Sequence, residues 1–292
     1  LACALDARSA APPPPPFARV LHAARAGSRP TGRPFLLRRA LPVGALAAAA
    51  TLLARGGHDV VLIDQHAFPR DKVCGDGLIP DAHRALGRLG VLGDVMAVAR
   101  ASSHVGCVGP RGGRIEVPGA LAVLPRRELD AIVARGALAA GARLFAPVRY
   151  LEPLEEGGRV VGARVGSGEA TRELRARWTV LATGAVPGAL IAAGMALRQT
   201  PSCIALRGYV ENAAMVGALP MLEVVWHARM KGGYGWIFPA PGAVFNVGVG
   251  LVDSHPTAAG AASGRRAANL RELFDAFIEV HAPLRRLIEG GR

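Results

Sequence analysis

Apolar and polar residues alternate along this chain in two ways, which divides it into a mixed helix–strand region and a mainly stranded region. Residues 45–55 are small and apolar, end at Gly56-Gly57, and predict a helix with a glycine stop. The apolar run at 60–63 follows as a short strand, and helical spacing returns over 81–89 and from 124 to about 140. Helices and apolar strands that alternate in this way indicate an α/β domain.

Alternation with period two dominates the rest of the chain and predicts antiparallel strands. A Pro-Arg-Gly-Gly turn at 110–113 separates two short alternating runs, so residues 102–117 are predicted to form a hairpin. A three-stranded meander is predicted, and four more strands follow it before a final helical region; the strand ranges are 143–148, 158–166, 169–178, 203–211, 222–227, 234–239 and 246–252.

Composition and charge argue against two classes of protein. The chain has 292 residues, 51% of them apolar, which is enough for one large domain or two small ones. Its net charge of +13 comes almost entirely from scattered arginines with no accompanying row of stacking aromatics, so we expect no nucleic-acid partner. The four cysteines lie far apart without a C-x-x-C pair, which predicts no metal site, no disulfide framework and a cytoplasmic location.

The first 39 residues differ from the rest of the chain. They are rich in Ala, Pro and Arg, include five consecutive prolines at 12–16, and lack periodicity. We therefore predict that residues 1–39 are disordered or are a non-native, low-complexity segment. The apolar run at 40–54 is too short for a membrane-spanning helix, which needs about 20 residues, and it leads directly into the predicted strand at 60–63.

One acid and one glycine indicate part of a dinucleotide-binding unit. Asp64 ends the strand at 60–63, where such units place an acid that binds a ribose hydroxyl, and it lies twenty residues after Gly44. The complete G-x-G-x-x-G loop is absent, because the two preceding glycine positions are occupied by Arg39 and Leu41. The sequence thus predicts a nucleotide-binding unit whose glycine loop is not intact.

Aromatic residues set among glycines form the most distinctive segment. Tyr234, Trp236 and Phe238 alternate within Gly-Gly-Tyr-Gly-Trp-Ile-Phe-Pro, and Asn-Val-Gly-Val-Gly follows at 246–250. This pattern predicts a flat, snug pocket wall. The segment resembles the Tyr-x-Trp-x-Phe-Pro segment of the geranylgeranyl reductase family of FAD-dependent oxidoreductases, which lines the cavity beside the flavin in that family.

Three further segments resemble the same family. Residues 68–78 match its F-P-R-x-K-x-C-G-x-G-L segment, residues 126–130 match the start of a helix whose arginine reaches the cofactor, and residues 182–185 match a turn that closes over the adenosine, with Thr183 where many relatives carry Asp. The resemblance implies four catalytic candidates, Tyr234, Trp236, Phe238 and Cys74. It also implies a set of residues that bind FAD: Gly44, Asp64, Arg70, Lys72, Cys74, Gly75, Gly77, Arg126, Thr183 and Gly184.

The fold implied by this resemblance is α/β. A Rossmann-like FAD-binding domain is interleaved with an antiparallel β-sheet substrate domain, as in the aromatic-hydroxylase-like flavoproteins. We expect the FAD-binding domain at 40–100 and 119–197, and the substrate domain at 101–118 and 198–292. The family's C-terminal G-D-A-A-G motif is absent, so the predicted FAD site is incomplete at both ends.

The function implied is reduction of isoprenoid carbon–carbon double bonds by hydride transfer from reduced flavin. The expected partners are a prenyl lipid or another hydrophobic small molecule and an electron donor, NAD(P)H or ferredoxin, with peripheral contact with a membrane. Two alternatives stay open. The same fold supports an aromatic monooxygenase or a halogenase, although a W-x-W-x-I-P segment is absent. The second alternative is that the chain is a truncated product that cannot hold FAD.

Overall fold

The computed structural model describes residues 2–5, 45–184, 188–197, 203–252 and 269–292. Its strands are β1 (Ala2–Leu5), β2 (Asp59–Ile63), β3 (Gly77–Leu78), β4 (Arg100–Val108), β5 (Arg114–Val123), β6 (Arg143–Phe145), β7 (Arg149–Glu156), β8 (Arg159–Ser167), β9 (Ala170–Arg175), β10 (Trp178–Val180), β11 (Cys203–Glu211), β12 (Leu222–Val225), β13 (Gly233–Pro239) and β14 (Val244–Val252). Its helices are α1 (Ala45–Arg55), α2 (Pro80–Arg88), α3 (Leu92–Val98), α4 (Arg126–Ala139), α5 (Gly188–Ala192), α6 (Leu270–Val280) and α7 (Ala282–Glu289), with a 3₁₀ turn at Ala213–Met215.

The chain forms two compact units, and each is described by itself. The first unit contains Leu1–Arg70 and Asp130–Gln199, and the second contains Asp71–Leu129 and Thr200–Arg292. The predicted domains divide the chain differently, because 71–100 and 119–129 were assigned to the FAD-binding domain. In the structure β3 and β5 pair with each other and β5 pairs with β4, so these segments lie in the second unit.

The first unit contains a four-stranded sheet of order β10-β1-β2-β6 and a separate meander of order β7-β8-β9. Val61 and Ile63 of β2 pack with Ala163 and Val165 of β8 in a buried apolar cluster. The predicted α1–β2 pair is confirmed. The predicted meander is wrong in one strand: residues 143–145 pair with β2 in parallel, and β7 takes the first place in the meander.

Residues 2–5 form a strand, in a region predicted to be disordered or a non-native, low-complexity segment. This strand lies between β2 and β10 and pairs with both of them in antiparallel orientation. Backbone hydrogen bonds to neighbours on both sides make a strand favourable even for a segment without a clear sequence pattern. In a dinucleotide-binding βαβ unit the first strand runs parallel to the second, so β1 does not reproduce that arrangement. Residues 6–39 lie outside the described residues.

The second unit is a seven-stranded sheet of order β11-β14-β13-β12-β4-β5-β3. Helices α6 and α7 cover one face, and Phe277, Leu284 and Leu287 are fully buried there together with Ile237 and Phe245 of the sheet. Helix α6 comes close to β13 because that strand has no side chain at Gly235. A Cβ there would lie 2.5 Å from the Phe277 ring. One face of the sheet is thus occupied by helices, which leaves the other face for the site.

Within the described ranges, no helix combines the length and the apolar character that a transmembrane span requires.

Candidate functional site

An aromatic row lies on the sheet face opposite α6 and α7. Tyr234, Trp236 and Phe238 occupy alternate positions of β13 and therefore point to the same side. The ring centroids of Tyr234 and Trp236 are 5.9 Å apart, and those of Trp236 and Phe238 are 6.5 Å apart. Trp226, at the end of β12, extends the row with a ring centroid 6.2 Å from that of Tyr234. The structure thus brings three predicted catalytic residues together and adds a fourth ring.

Glycines of β14 let this row lie flat on the neighbouring strand. Gly250 is paired with Tyr234 and Gly248 with Trp236, so each glycine sits on the same face as a ring. A Cβ at Gly248 would lie 2.3 Å from the Trp236 ring, and one at Gly250 would lie 2.9 Å from the Tyr234 ring. Side chains at these positions would displace the rings, which explains the alternating glycines of residues 246–250.

The turn at residues 74–77 packs against the far end of the row. A Cβ at Gly75 or Gly77 would lie 3.3 or 3.2 Å from the Phe238 ring, so both predicted glycines are needed for close contact. The Asn246 side chain holds this turn, since its Nδ2 donates to the Cys74 carbonyl oxygen over 2.8 Å. The Cys74 thiol is half-buried and free.

Asp76 is the centre of the hydrogen-bond network in this turn. Its side chain is buried, and its φ of 63° lies in the left-handed region. Oδ2 accepts hydrogen bonds from the Tyr209 hydroxyl over 2.5 Å and from Asn246 Nδ2 over 2.7 Å, while Oδ1 accepts one from the Arg126 amide over 3.3 Å. Burial raises the pKa of Asp76, and the bonds from Tyr209 and Asn246 oppose that rise.

This network also fixes the aromatic row. Trp236 Nε1 donates to Asn246 Oδ1 over 2.9 Å, so the indole is connected to Asp76 through one amide side chain. These hydrogen bonds are directional, and together they set the position of Trp236 and of the Cys74 carbonyl. The sequence analysis did not select Asp76, Asn246 or Tyr209 as site residues. No local pattern links them in the sequence: the register that pairs Tyr209, Asn246 and Phe238 across three strands is set by the sheet.

An arginine stacked on Tyr209 lies beside this network in the second unit. The Arg207 guanidinium lies 4.3 Å from the centroid of the Tyr209 ring and donates to Asp71 Oδ1 over 2.8 Å. It also donates to the Lys72 carbonyl oxygen over 3.3 Å. Burial, followed by the bond to Asp76, raises the pKa of Tyr209 well above its usual range. Tyr209 is therefore a neutral donor to Asp76.

In the first unit, Asp64 and Arg70 form an ion-pair bridge. Arg70 Nη2 lies 3.0 Å from Asp64 Oδ2, and Arg70 Nη1 lies 3.1 Å from Oδ2 of the buried Asp130. Asp64 Oδ1 accepts from the His66 amide over 2.9 Å. Oδ2 also accepts from Arg70 Nε over 3.0 Å, whereas Oδ1 retains a second lone pair, so Asp64 can still accept a ribose hydroxyl. Arg70 has a structural role here that the sequence prediction did not include.

The remaining predicted cofactor residues are Thr183, Gly184, Arg126, Lys72 and Gly44. Thr183 Oγ1 is buried and has no hydrogen-bond partner within the described part of the chain, which is the kind of polar atom that a bound ligand satisfies. Gly184 has a φ of 76°, which favours glycine. The side chain of Arg126 is buried at the start of α4 and that of Lys72 is half-buried, whereas Gly44 lies outside the described residues.

Within the described ranges, no three His, Cys, Asp or Glu side chains lie close enough together to hold a metal ion.

Comparison with known proteins identifies the family. The sequence profile of a family described as an FAD binding domain matches residues 40–207, which is more than half of the chain. The chain belongs to this FAD-binding family. FAD is accordingly its cofactor, and its class is oxidoreductase. The Thr183 hydroxyl, buried without a partner among the described residues, fits such a cofactor.

Two curated relatives of this FAD-binding chain have named substrates. A menaquinone reductase of Mycobacterium tuberculosis is 33% identical over 225 residues, which cover 71% of this chain and 52% of the relative. A digeranylgeranylglycerophospholipid reductase of Methanopyrus kandleri is 29% identical over 258 residues, which cover 85% of this chain and 63% of the relative. The resemblance to the geranylgeranyl reductases is thereby confirmed, and the chain spans about half the length of the curated relatives it matches.

Solved structures confirm the predicted flavoprotein fold. A flavin-dependent brominase superposes with a TM-score of 0.69 at 18% identity, over 86% of this chain and 62% of that chain. A geranylgeranyl bacteriochlorophyll reductase-like protein of Thermoplasma acidophilum superposes with a TM-score of 0.66 at 20% identity, with the same coverage of 86% and 62%. At such identities the likeness extends to the fold alone, and the chemistry has to be argued from the site.

Proposed function

We propose that this chain provides the flavin-facing and alkene-binding parts of an FAD-dependent reductase of isoprenoid carbon–carbon double bonds. The observation that carries the proposal is the aromatic row of Tyr234, Trp236 and Phe238, which lies flat on the glycines of β14. A flat aromatic wall suits a planar, apolar alkene and excludes water from it.

Candidate cofactor-binding residues occur in each unit taken by itself. Asp64, Thr183 and Gly184 of the first unit are the candidates for the adenosine side. Lys72, Gly75, Gly77 and Arg126 are the candidates of the second unit. When bound in its reduced form, FAD supplies a hydride for one alkene carbon. The chain must then orient the alkene and deliver a proton to the other carbon.

Cys74 and Tyr234 are the candidate proton donors. The Cys74 thiol is half-buried at the Phe238 end of the row, and the Tyr234 hydroxyl lies at the opposite end. Asn246 fixes the backbone of Cys74 through its carbonyl oxygen. A thiol held in a rigid turn has less positional freedom than a strand-end tyrosine, so we assign the proton to Cys74 and a wall role to Tyr234.

The relatives' names support an isoprenoid substrate. Menaquinone and digeranylgeranylglycerophospholipid are the compounds named in them, and both carry isoprenoid chains. The proposal includes a prenyl lipid as substrate, NAD(P)H or ferredoxin as the source of electrons, and a cytoplasmic location with peripheral membrane contact.

An anaerobic turnover experiment tests this function. The chain is loaded with FAD, reduced with dithionite, and given geranylgeraniol or a menaquinone, and the products are analysed by mass spectrometry. We expect a gain of two hydrogens in the isoprenoid chain and a tenfold or greater loss of rate in Cys74→Ala. Gain of hydrogen in the quinone ring alone would contradict the proposal. Oxygen consumption with an aromatic substrate in air would instead favour the monooxygenase alternative, and a chain that retains no FAD would favour the non-catalytic one.

A further inference from the structure

A cavity of about 420 Å³ opens at the Tyr234 end of the aromatic row. Its volume lies within the range of about 300–1,000 Å³ that is usual for small-molecule sites. The wall is formed by Trp226, Tyr234, Met230 and Pro110, with Lys231 and His227 beside them. The cavity is therefore continuous with the surface on which we place the isoprenoid chain.

The polar groups of this cavity are all hydrogen-bond donors or able to act as donors. The Lys231 ammonium, the Trp226 indole N–H and the Tyr234 hydroxyl are donors by their chemistry. His227 joins them, because its Nδ1 accepts a hydrogen bond from the Arg229 amide over 3.2 Å and its proton is therefore on Nε2. Among the described residues that line the cavity there is no Asp, Glu, Asn or Gln. A site with several donors and one cation, but no acid, is complementary to an anion with many acceptor atoms.

We propose that this cavity binds the phosphate or diphosphate end of the isoprenoid substrate. The direction in which the isoprenoid chain of the substrate runs along the aromatic row rests on the proposed function, whereas binding of the anion does not. Tyr234 and Phe238 are four residues apart on β13, which corresponds to about 13 Å at about 3.4 Å per residue. A substrate anchored by its phosphate at Tyr234 would thus extend along the row to the turn of Cys74, and the double bond reduced would be an internal one.

Binding measurements on the FAD-loaded chain test the anion site without turnover. Geranylgeranyl diphosphate and geranylgeraniol are titrated while the tryptophan fluorescence is followed. We expect the diphosphate to bind at least about tenfold more tightly, and this preference to fall as salt is raised because salt screens an exposed ammonium. Vesicles that contain a digeranylgeranyl phospholipid, compared with free diphosphate, distinguish a lipid headgroup from a soluble ester as the natural source.

Matched variants assign the effect to the cavity. Lys231→Gln should weaken diphosphate binding about tenfold and leave geranylgeraniol unaffected. Arg229→Gln is the control, because Arg229 is also exposed, lies two residues away and forms an ion pair with Glu279 outside the cavity. Trp226→Phe keeps an aromatic ring and removes one donor, so a smaller loss is expected. Circular dichroism verifies that each variant is folded.

Two results would overturn the inference: equal affinity for the alcohol and the diphosphate, or equal effects of Lys231→Gln and Arg229→Gln. The proposed function fails in a different way. If the diphosphate binds in a Lys231-dependent manner and no alkene is reduced, the anion site stands and the reductase function is wrong. If geranylgeraniol is reduced and binds as tightly as the diphosphate, the function stands and the anion site is wrong.

Discussion

The two faces of the seven-stranded sheet each hold a buried carboxylate, and the two carboxylates are stabilised in different ways. Asp76, on the aromatic face, is 1% exposed and accepts hydrogen bonds from a tyrosine, an amide side chain and a backbone amide. Glu223, on the helix face, is 4% exposed and accepts from His281 Nε2 over 2.7 Å and from Arg114. The first acid therefore has neutral donors, whereas the second has an arginine and a histidine as its partners.

This difference gives the two acids opposite pKa shifts. Burial raises the pKa of Asp76, and its neutral donors offset only part of that rise. Burial acts in the same direction on Glu223, but the bonds and charges of His281 and Arg114 exceed it, so the pKa of Glu223 is lowered. An ion cluster fixes the helix face, while the aromatic face holds a charge that is balanced mainly by directional hydrogen bonds. The directional hydrogen bonds on the aromatic face fix the positions of their partners more strictly than the ion cluster does, as a binding site requires.

The largest effect is expected from Asp76→Asn. Asparagine tolerates the positive φ of this position, so backbone strain does not contribute to the expected loss of stability. Its amide NH₂ must face either the Arg126 amide or the Tyr209 and Asn246 donors, and buried donors are then left without an acceptor. We expect a loss of about 3 kcal/mol in the free energy of unfolding and a hundredfold loss of alkene reduction, measured by denaturant unfolding and turnover. Asp81→Asn, in an exposed ion pair with Arg84, should cost less than about 1 kcal/mol. Equal losses in both variants would show that Asp76 is not the centre of the network.

Glycine substitutions on the two faces should have the next largest effect. A Cβ at Gly248 would lie 2.3 Å from Trp236, and one at Gly235 would lie 2.5 Å from Phe277. A Cβ at Gly248 would also lie 2.5 Å from the Leu206 carbonyl oxygen. Gly248→Ala and Gly235→Ala should each cost about 2 kcal/mol, because overpacking displaces the rings and, at Gly248, the neighbouring strand. Only Gly248→Ala should also shift the Trp236 fluorescence and reduce turnover beyond the loss of folded protein.

Gly208→Ala is the control for both variants. Gly208 lies in β11 of the same sheet, and a Cβ there would meet nothing within 4 Å. Its stability should change by less than about 0.5 kcal/mol. A similar loss in all three variants would show that the cost comes from the backbone and not from the rings.

The glycines also show what the sequence could predict. The alternation of Tyr234, Trp236 and Phe238 with small residues was sufficient to predict a flat wall, since strand geometry places alternate residues on one face. The α1–β2 pair and the hairpin of β4 and β5 followed from local periodicity in the same way. These features depend on neighbours along the chain.

The Asp76 network could not be predicted, because its members are far apart in sequence. Asp76 and Tyr209 are separated by 133 positions, and Asp76 and Asn246 by 170. Whether an acid between two glycines is solvated or buried depends on which strand packs over it, and periodicity does not contain that information. The bridge of Arg70 to Asp64 and Asp130 was missed for the same reason, since Asp130 belongs to a distant helix.

A smaller effect, which depends on pH, is expected from Glu223→Gln. The folded-state pKa of Glu223 is below the unfolded value of 4.5, so its carboxylate stabilises the fold above that value and loses this contribution as the pH falls through the folded pKa. The stability difference between wild type and Glu223→Gln should be constant, at about 1–2 kcal/mol, between pH 7 and about pH 5 and should shrink below about pH 4.5.

The opposite dependence holds for Asp76, whose raised pKa makes its contribution greatest below 3.8 and smaller as the pH rises through the folded pKa. Urea unfolding from pH 3.5 to pH 7 measures both pH dependences, that of Glu223 and that of Asp76. Glu116→Gln is the control for Glu223→Gln, because Glu116 also contacts Arg114 but is about half exposed. A stability difference between wild type and Glu223→Gln that grows as the pH falls would contradict the assignment of His281 and Arg114 as the partners that lower the pKa of Glu223.

The smallest effect is expected from Tyr209→Phe, which removes one neutral donor and keeps the ring that Arg207 stacks on at 4.3 Å. Asp76 then retains its bonds from Asn246 and the Arg126 amide, so the loss of stability should be about 1 kcal/mol, the usual value for one hydrogen bond. Because the removed bond favours the ionised acid, the pKa of Asp76 should rise further, and the cost should decrease when the pH is lowered. The effect on turnover should be less than in Asp76→Asn, since Asn246 still connects the turn to Trp236. A Tyr209→Phe variant as inactive as Asp76→Asn would mean that the tyrosine hydroxyl, and not the amide, holds the aromatic face in place.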